Sequence, residues 1–353
     1  MLTDRVERWR AAGELIEFRN RKIYVQRRDG ELPLLLLLHG FPSSSYDWRG
    51  LLDAHRRSAA LRFDCLGFGL SDKPPDHVYS LGWQADAAEE LVRRAGSPPT
   101  FLVAHDMGTS VATELMARAV RGDASIGFEG ALLFNGSILI ERASLTLAQK
   151  LLRSRFGPVF AMLSNERAFR AQFSRLFASS HPLARQEAED QWSLIVHNGG
   201  RRIAHRTIHY LDERERLTER WHGAFRDWPG RLSLAWGLQD PVATTNVLEG
   251  LRELRPGVPV HELPDRLGTT HRSRTPAPWP QRSSSRCRAD GTQSSVTAIT
   301  APGRLVCVEK ASPLWRARQL SASRLLGRQR VGRERIEEPE WMFAGGDRRC
   351  YCR

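Results

Sequence analysis

Cysteine and long apolar runs are both scarce in this chain. Of the five cysteines, only Cys65 precedes residue 265, which excludes a disulfide-rich scaffold over that length and is typical of a reducing compartment. The longest apolar run, residues 34–38, is too short to cross a bilayer. The charged first ten residues are followed by no apolar signal segment. We therefore expect a soluble, cytoplasmic protein with no membrane partner.

Negative charge is scarce at the end of the chain. Residues 265–353 hold 18 basic and 8 acidic residues, whereas residues 1–264 hold 35 and 32, so most of the net charge of +13 lies in this basic tail. A nucleic-acid-binding tail is one interpretation, but the tail lacks helical spacing and an aromatic stacking platform. We expect no nucleic-acid partner. Salt-sensitive DNA or RNA binding that disappears when the residues after 263 are deleted would support the alternative.

Apolar segments alternate with helical patterns through most of the chain. Five short runs are typical of buried parallel strands. They are preceded by a predicted hairpin and followed by a predicted edge strand that contains Pro259. The predicted strands are residues 14–18, 22–26, 34–38, 60–65, 100–104, 130–134, 232–236 and 258–263. The pattern predicts an α/β fold in which helices flank a mostly parallel sheet.

The alternation is interrupted by one long helical stretch. Residues 137–226 are rich in Arg, Glu and aromatic side chains, and we interpret them as an inserted helical cap. The core of the fold is then divided into residues 1–136 and 227–264. The periodicity ends after residue 264, so residues 265–353 are predicted to be irregular or disordered.

A tight turn is predicted directly after the strand at residues 100–104. Ala104, Asp106 and Gly108 match the form of a nucleophile elbow, in which small residues flank a nucleophile at the top of the sheet. Asp106 occupies the nucleophile position. The alternative is that Asp106 caps the following helix, which is a common role for aspartate.

The segment His-Gly-Phe-Pro at residues 39–42 follows another buried strand. In α/β-hydrolases the backbone N–H groups of the residue after His-Gly, here Phe41, and of the residue after the nucleophile, here Met107, form an oxyanion hole. The His39 side chain is expected to stabilise the turn within the core.

A third acidic candidate follows the strand at residues 232–236. Asp240 lies where the order nucleophile, acid, histidine places the acid that orients the base. Its alternative role is that of a turn residue before Pro241. The position supports the triad role because it agrees with the two motifs that precede it in the chain.

Several longer motifs resemble one branch of the α/β-hydrolases. They are HGFPSSSYDW at residues 39–48, LGFGLSDKP at 66–74, HDMG at 105–108, and YLDERE and RWHGA at 210–215 and 220–224. They are similar to the mesoderm-specific-transcript branch, which is related to epoxide hydrolases and haloalkane dehalogenases. The resemblance covers about residues 12–264. It implies that Asp106 attacks carbon to form an alkyl-enzyme ester, which a His-activated water then hydrolyses.

The catalytic histidine is missing where this branch places it. The branch carries Gly-His-Tyr-Pro-Gln-(Leu/Ile)-Glu-Asp-Pro, whereas residues 268–276 are Gly-Thr-Thr-His-Arg-Ser-Arg-Thr-Pro. Back-translation as GGC ACT ACC CAC AGA TCG AGG ACC CCG, with one C restored after the first codon, gives GGC CAC TAC CCA CAG ATC GAG GAC CCC, which encodes the branch segment. We infer a one-base frameshift near Gly268, after which His271 is the remaining candidate base.

The signatures of both subclasses are incomplete. Epoxide hydrolases of this group use two cap tyrosines, and only Tyr210 lies in the predicted cap; dehalogenases use a Trp after the nucleophile, where this chain has Met107. The candidate pocket residues are His39, Tyr210, Trp192 and Trp221, each with plain packing as its alternative role. We expect a small-molecule substrate and neither a metal nor a cofactor. The predicted activity is epoxide hydrolase-like; the alternative is an inactive relative in which an Asp106 ester persists.

Overall fold

The main sheet has eight strands within the residues that the computed structural model describes, which are 1–177, 182–263 and the backbone of 296–299 and 306–309. The strands are β1 (Glu14–Phe18), β2 (Arg21–Arg28), β3 (Glu31–Leu38), β4 (Ser58–Phe63), β5 (Thr100–His105), β6 (Phe128–Phe134), β7 (Arg231–Gly237) and β8 (Val260–Leu263). Their order across the sheet is β1-β2-β4-β3-β5-β6-β7-β8. All eight predicted strands are present, and β8 lies at one edge, as the proline before it predicted.

Parallel pairing dominates this sheet. β2 pairs antiparallel with β1 and with β4, and all the neighbouring pairs from β4 to β8 are parallel. β3 is central, and its residues Leu36, Leu37 and Leu38 have no exposed surface, because helices cover a parallel sheet on both faces. Leu38 pairs with Ala104 of β5. The segments that follow β3 and β5 therefore leave the sheet side by side.

Helices accompany the strands of the sheet, and a further group of helices lies between β6 and β7. The helices that accompany the first strands are α1 (Asp4–Ala11), α2 (Arg49–Ala54), α3 (Leu81–Arg94) and α4 (Met107–Arg121). Residues 137–226, here called the helical insertion, contain α5 (Leu147–Arg153), α6 (Gly157–Leu163), α7 (Glu166–Phe173), α8 (Arg185–Val196), α9 (Gly200–Thr207), α10 (Tyr210–Arg216) and most of α11 (Thr218–Asp227). α12 (Thr245–Leu254) follows β7. The predicted α/β fold, a mostly parallel sheet flanked by helices, is confirmed.

α4 connects the turn after β5 to the core. Its side chains Val111, Ala112, Leu115 and Met116 have no exposed surface, and the helix packs against α3 and α11. It ends at Gly122, whose φ of 77° is a left-handed conformation that glycine adopts without a Cβ clash. Because α4 is buried along most of its length, the turn at its first residue is held firmly against the sheet.

Part of the basic tail forms two short strands. β9 (Val296–Ile299) and β10 (Val306–Glu309) pair antiparallel and are separate from the main sheet. The rest of residues 265–353, for which irregular structure was predicted, lies outside the described residues, and His271 lies there too. In the described part of the chain no helix is both long and apolar enough to cross a membrane.

Candidate active site

The turn after β5 holds Asp106 in an unusual backbone conformation. Its φ of 46° and ψ of −111° lie in a region that residues other than glycine rarely adopt. Asp106 directly precedes α4, yet its side chain makes no capping hydrogen bond to that helix. Instead, its Oδ2 accepts a hydrogen bond from the Phe41 backbone N–H at 2.9 Å. The carboxylate therefore faces the segment after β3 and does not serve as a helix cap.

Two glycines allow the close approach of these turns. An added Cβ on Gly40 would lie 2.9 Å from the Asp106 Cβ and 3.0 Å from the His105 Nδ1. One on Gly108 would lie 2.4 Å from the Leu38 carbonyl oxygen. These distances are shorter than the usual 3.5–4.0 Å or so between non-bonded atoms. Any side chain at either position would push the turns after β3 and β5 apart.

The His39 imidazole belongs to the core. It has no exposed surface; its Nε2 accepts a hydrogen bond from the Cys65 N–H at 2.9 Å, and its Nδ1 lies 2.9 Å from the Gly40 carbonyl oxygen. Because a carbonyl oxygen can only accept, these contacts fit a neutral ring with its proton on Nδ1. Burial lowers the pKa of His39, which favours the same neutral form.

Asp240 lies in the loop after β7 with one carboxylate oxygen fixed. Its Oδ1 accepts hydrogen bonds from the N–H groups of Val242 and Ala243, both at 2.8 Å. Burial raises the pKa of Asp240, an effect that the two N–H groups and His105 partly offset. Within the described residues no donor reaches Oδ2. The role of Asp240 in orienting an imidazole stays a prediction.

A pocket of about 520 Å³ connects these residues with the helical insertion. Its polar end contains His105, Asp106 and Asp240. The insertion contributes mainly apolar side chains, Leu147, Leu152, Phe160, Phe169, Phe173 and Trp192, together with polar ones that include Gln149, Gln172 and Arg175. A mostly apolar cavity with a few polar groups is typical of a small-molecule site. In residues 1–177 and 182–263, no group of three or more His, Cys, Asp or Glu is placed to hold a metal ion.

The four predicted pocket residues occupy different positions. Trp192 lines the pocket. Tyr210 and Trp221 are fully buried, and the Trp221 indole N–H donates a hydrogen bond to Glu114 Oε2 at 2.9 Å. These two residues and His39 are not among the residues that line the pocket. They lie in the packed structure around it.

The structure gives a hydrogen bond for one predicted oxyanion donor, a position for the other, and no position for the predicted base. The Phe41 N–H makes the contact with Asp106 given above. Met107 is the buried first residue of α4, and donation by its N–H stays a prediction. His271 lies outside the described residues. The structure thus brings together Phe41, Asp106 and Asp240, and it gives no position for the predicted base.

His105 is a site residue that the sequence reasoning did not single out. Its Nδ1 and the Asp106 Oδ2 lie 3.0 and 3.2 Å from the same point, the Cβ position on Gly40, so they are no more than 6.2 Å apart. The two groups are therefore close enough for a direct or a water-mediated contact. The sequence did contain a signal for this residue, because His105 belongs to the HDMG motif. The direction of the His105 side chain, however, depends on the conformation of the turn.

Asn135 and Arg214 were also missed. Asn135, at the end of β6 with a φ of 37°, exchanges hydrogen bonds with Gly237, which fixes the start of the loop that carries Asp240. Arg214, from α10 of the helical insertion, donates a hydrogen bond to the Asp106 carbonyl oxygen at 3.0 Å. Arg214 lies in the YLDERE motif, although nothing in the spacing of that motif indicates this contact.

The alpha/beta hydrolase fold family model matches residues 33–266 of the chain. The chain is 49% identical over 278 residues to LipZ of Mycobacterium tuberculosis, which is named "Putative hydrolase LipZ"; the alignment covers 79% of this chain and 96% of LipZ. It is 32% identical over 279 residues to the mesoderm-specific transcript homolog protein of Bos taurus, covering 75% of this chain and 83% of that protein. A shorter match, 36% over 97 residues, involves epoxide hydrolase 3 of Xenopus tropicalis and covers 27% and 26% of the two chains.

Solved structures agree in fold. Haloalkane dehalogenase DbeA from Bradyrhizobium elkani superposes with a TM-score of 0.59 at 20% identity, covering 71% of this chain and 89% of that one. The matched family region contains the strands from β3 to β8 together with the helical insertion. The fold, the elbow and the comparisons lead to one conclusion: this chain belongs to the α/β-hydrolase fold family.

Proposed function

We propose that this chain is a hydrolase that opens an epoxide or a related electrophile with Asp106 as its nucleophile. The observation that carries the proposal is the strained backbone of Asp106, combined with a carboxylate that Phe41 holds and the helix does not. Such strain persists only where surrounding contacts maintain it, and it is concentrated at functional sites. A capping aspartate has no need of this conformation. The epoxide hydrolases among the relatives support the same chemistry.

The attack uses the carboxylate oxygen that Phe41 does not hold. Asp106 Oδ1 attacks an epoxide carbon, the ring C–O bond breaks, and its electron pair goes to the ring oxygen, which takes up a proton. The product is an alkyl ester of Asp106. Oδ2 becomes the ester carbonyl oxygen. The Phe41 N–H is then already in place to stabilise the negative charge that Oδ2 gains when water attacks the ester.

Tyr210 is the candidate donor of the proton to the ring oxygen. Burial raises the pKa of Tyr210, so that its phenol stays protonated at neutral pH. Its ring lies 5.6 Å from the ring of Phe41, which lines the pocket. Its hydroxyl is buried, and the charged groups that act on it are Asp106 and Arg214. The Arg214 guanidinium, 4.7 Å from the ring centre, would stabilise the resulting phenolate.

Hydrolysis of the ester requires a base. In the proposal Asp240 orients an imidazole through Oδ2, as the order of the triad predicts. The sequence candidate for that imidazole is His271. His105 lines the pocket, and its Nδ1 lies within 6.2 Å of Asp106 Oδ2. It is therefore the second candidate for activating the water that attacks the ester. If neither histidine works as a base, the ester persists and the chain is an inactive relative.

The lining favours an apolar substrate. The insertion contributes leucine, phenylalanine and tryptophan side chains, and a cavity of about 520 Å³ falls in the range of roughly 300–1,000 Å³ that accepts drug-sized ligands. Met107 occupies the position of the halide-binding Trp expected in dehalogenases. An aryl or alkyl epoxide is therefore a better first probe than a haloalkane.

The nucleophile is tested by intact-mass spectrometry after exposure to styrene oxide. The expected result is one adduct per chain, which peptide mapping places on Asp106. Asp106→Asn should abolish the adduct, whereas Asp53→Asn, a substitution on an exposed part of α2, should leave it unchanged. An adduct that persists in Asp106→Asn would contradict the proposal.

The second half-reaction is tested by following the same adduct over time. Disappearance of the ester with formation of diol shows turnover, whereas a stable ester identifies the inactive relative. His105→Gln and His271→Gln separate the two candidate bases: the substitution that lengthens the life of the ester, by roughly 100-fold or more, identifies the base in use.

A further inference from the structure

Arg214 is a fully buried cation in contact with the nucleophile turn. It is among the largest side chains with almost no exposed surface. Its Nε donates a hydrogen bond to Ser110 Oγ at 2.8 Å, and its Nη2 donates to the Asp106 carbonyl oxygen at 3.0 Å. The same Nη2 lies 3.6 Å from Asp106 Oδ1. One side chain from the helical insertion thus contacts the backbone and the carboxylate of the proposed nucleophile, and the helix that follows it.

Several groups hold the carbonyl oxygen of the strained residue. The Thr109 N–H and hydroxyl donate to it at 3.0 and 2.6 Å. These bonds are local to the turn, whereas the bond from Arg214 bridges 108 positions of sequence. A backbone outlier persists only when its surroundings over-determine it. Arg214 supplies a restraint that the turn cannot provide for itself.

The two carboxylate oxygens have different environments. Oδ2 accepts the Phe41 N–H. Oδ1 faces the Arg214 guanidinium at a distance too long for a hydrogen bond and short enough for charge attraction. This arrangement fixes the rotation of the carboxylate, and among the described residues it leaves Oδ1 without a tight donor, which is what an attacking oxygen requires.

The third guanidinium nitrogen, Nη1, takes no part in these hydrogen bonds. Within the described residues, Nη1 has no hydrogen-bond partner although it is buried. A buried donor without a partner is unfavourable. An arginine that served packing alone could be replaced by an apolar side chain without that penalty. The arrangement is better explained by the contact with Asp106.

We propose that Arg214 is a positioning residue, which links the helical insertion to the nucleophile turn and holds Asp106 in its attacking geometry. This inference rests on the proposed role of Asp106. Its functional consequence is that the insertion does more than line the pocket. Correct seating of α10 becomes a condition for reaction at Asp106.

The test compares rates of styrene oxide adduct formation on Asp106 in the full chain. Arg214→Met keeps most of the side-chain volume but removes the charge and both hydrogen bonds, and we expect the rate to fall roughly 10- to 100-fold, the effect of a misplaced reacting group. Arg214→Lys keeps the charge without the planar fork, and we expect an intermediate rate. Arg216→Met, on the exposed side of the same helix, is the matched control and should react like the wild type.

The results separate positioning from general stability. A wild-type rate in folded Arg214→Met would overturn the proposal. If that variant does not fold, Arg214→Lys provides the test. A wild-type rate of adduct formation in Arg214→Lys would show that the planar guanidinium is not required, which contradicts the proposal. A merely structural arginine would lower the melting temperature of all Arg214 variants while the folded fraction reacted normally.

A second measurement does not depend on the chemistry. Hydrogen exchange of the backbone amides at residues 106–110 should speed up at least tenfold in Arg214→Met and stay unchanged in Arg216→Met. If the wild-type protein forms neither adduct nor diol, the proposed function fails, but faster exchange at the turn would still support the positioning role. Unchanged exchange would overturn it.

Discussion

Single residues at this site are constrained by contact distances. Gly40 illustrates the point, because the space for its Cβ is filled by Asp106 and His105. A motif that looks like a flexible turn in the sequence is therefore a packed contact between two strand ends. The requirement for glycine comes from that contact, since Gly40 is not among the residues with positive φ.

Gly40→Ala should slow adduct formation at Asp106. The new methyl group would lie 2.9 Å from the Asp106 Cβ, so the carboxylate must move, and we expect a loss of roughly tenfold or more in the styrene oxide rate. Gly223→Ala is the control. Its Cβ would have the Arg226 side chain at 3.9 Å as its nearest neighbour, and alanine favours its helical position by up to about 1 kcal/mol. Equal rates in the two variants would refute the prediction.

At the scale of elements, the helical insertion is attached to the core by polar contacts as well as by apolar packing. On α4, Glu114 accepts hydrogen bonds from Arg220 at 2.9 and 3.0 Å and from the Trp221 indole at 2.9 Å. On the other side, Gln191 of α8 donates a hydrogen bond to Asp47 at 2.8 Å. The insertion is therefore seated on both the helix after the nucleophile and the turn after β3.

The Asp47 contact predicts a pH dependence of stability. Burial raises the pKa of Asp47 to about 7, despite hydrogen bonds from Ser43 and Gln191. Between about pH 4 and 7 an unfolded chain has lost this proton and the folded chain keeps it. Raising the pH therefore favours unfolding in this window, by about 1.4 kcal/mol per pH unit and on the order of 4 kcal/mol in total.

Urea unfolding at several pH values from 4 to 8 measures this effect. The Asp47 contribution to the free energy of unfolding should fall as the pH rises towards 7 and then level off. Asp47→Asn cannot ionise, so it should remove most of that slope. Burial also raises the pKa of Glu187 and lowers the pKa of His39, His77, His197 and His205, and these two effects have opposite signs, so the Asp47 contribution is read from the difference between the two proteins. A variant that kept the full slope would show that Asp47 is not its source.

At the scale of the whole molecule, the chain agrees with the α/β-hydrolase fold from the first strands of the sheet to β8. The family match ends at residue 266, two residues before the inferred frameshift at Gly268. The alignment with LipZ covers 96% of LipZ but 79% of this chain. The inferred frameshift stays a prediction. Its consequence would be the loss of the histidine base that hydrolysis of the Asp106 ester requires.

Restoring one base after the Gly268 codon should convert a slow or single-turnover protein into a catalyst. The restored Gly-His-Tyr-Pro-Gln segment would bring an imidazole to Asp240, and a general base is worth roughly 100-fold or more in ester hydrolysis. Resequencing the gene across this codon comes first, and diol formation by both proteins is then measured. The restored protein with that histidine changed to glutamine is the control. Equal turnover in all three would contradict the frameshift hypothesis.

The sequence by itself determined the strands, the fold class and the place of Asp106. These features depend on local patterns, namely apolar runs and short motifs at strand ends, so they can be read without knowledge of long-range contacts. Phe41 and Asp240 were placed for the same reason, because parallel strands bring their carboxyl ends to one edge of the sheet.

The tertiary structure alone decided the contacts made across the chain. Arg214 contacts Asp106 over 108 positions, and Trp221 uses its indole N–H to bind Glu114 instead of lining the pocket. These outcomes depend on how the insertion packs on α4, and the periodicity within one helix does not reveal which of its residues meets which partner. The strain at Asp106 belongs to the same class, because it exists only while neighbouring elements hold the turn in place.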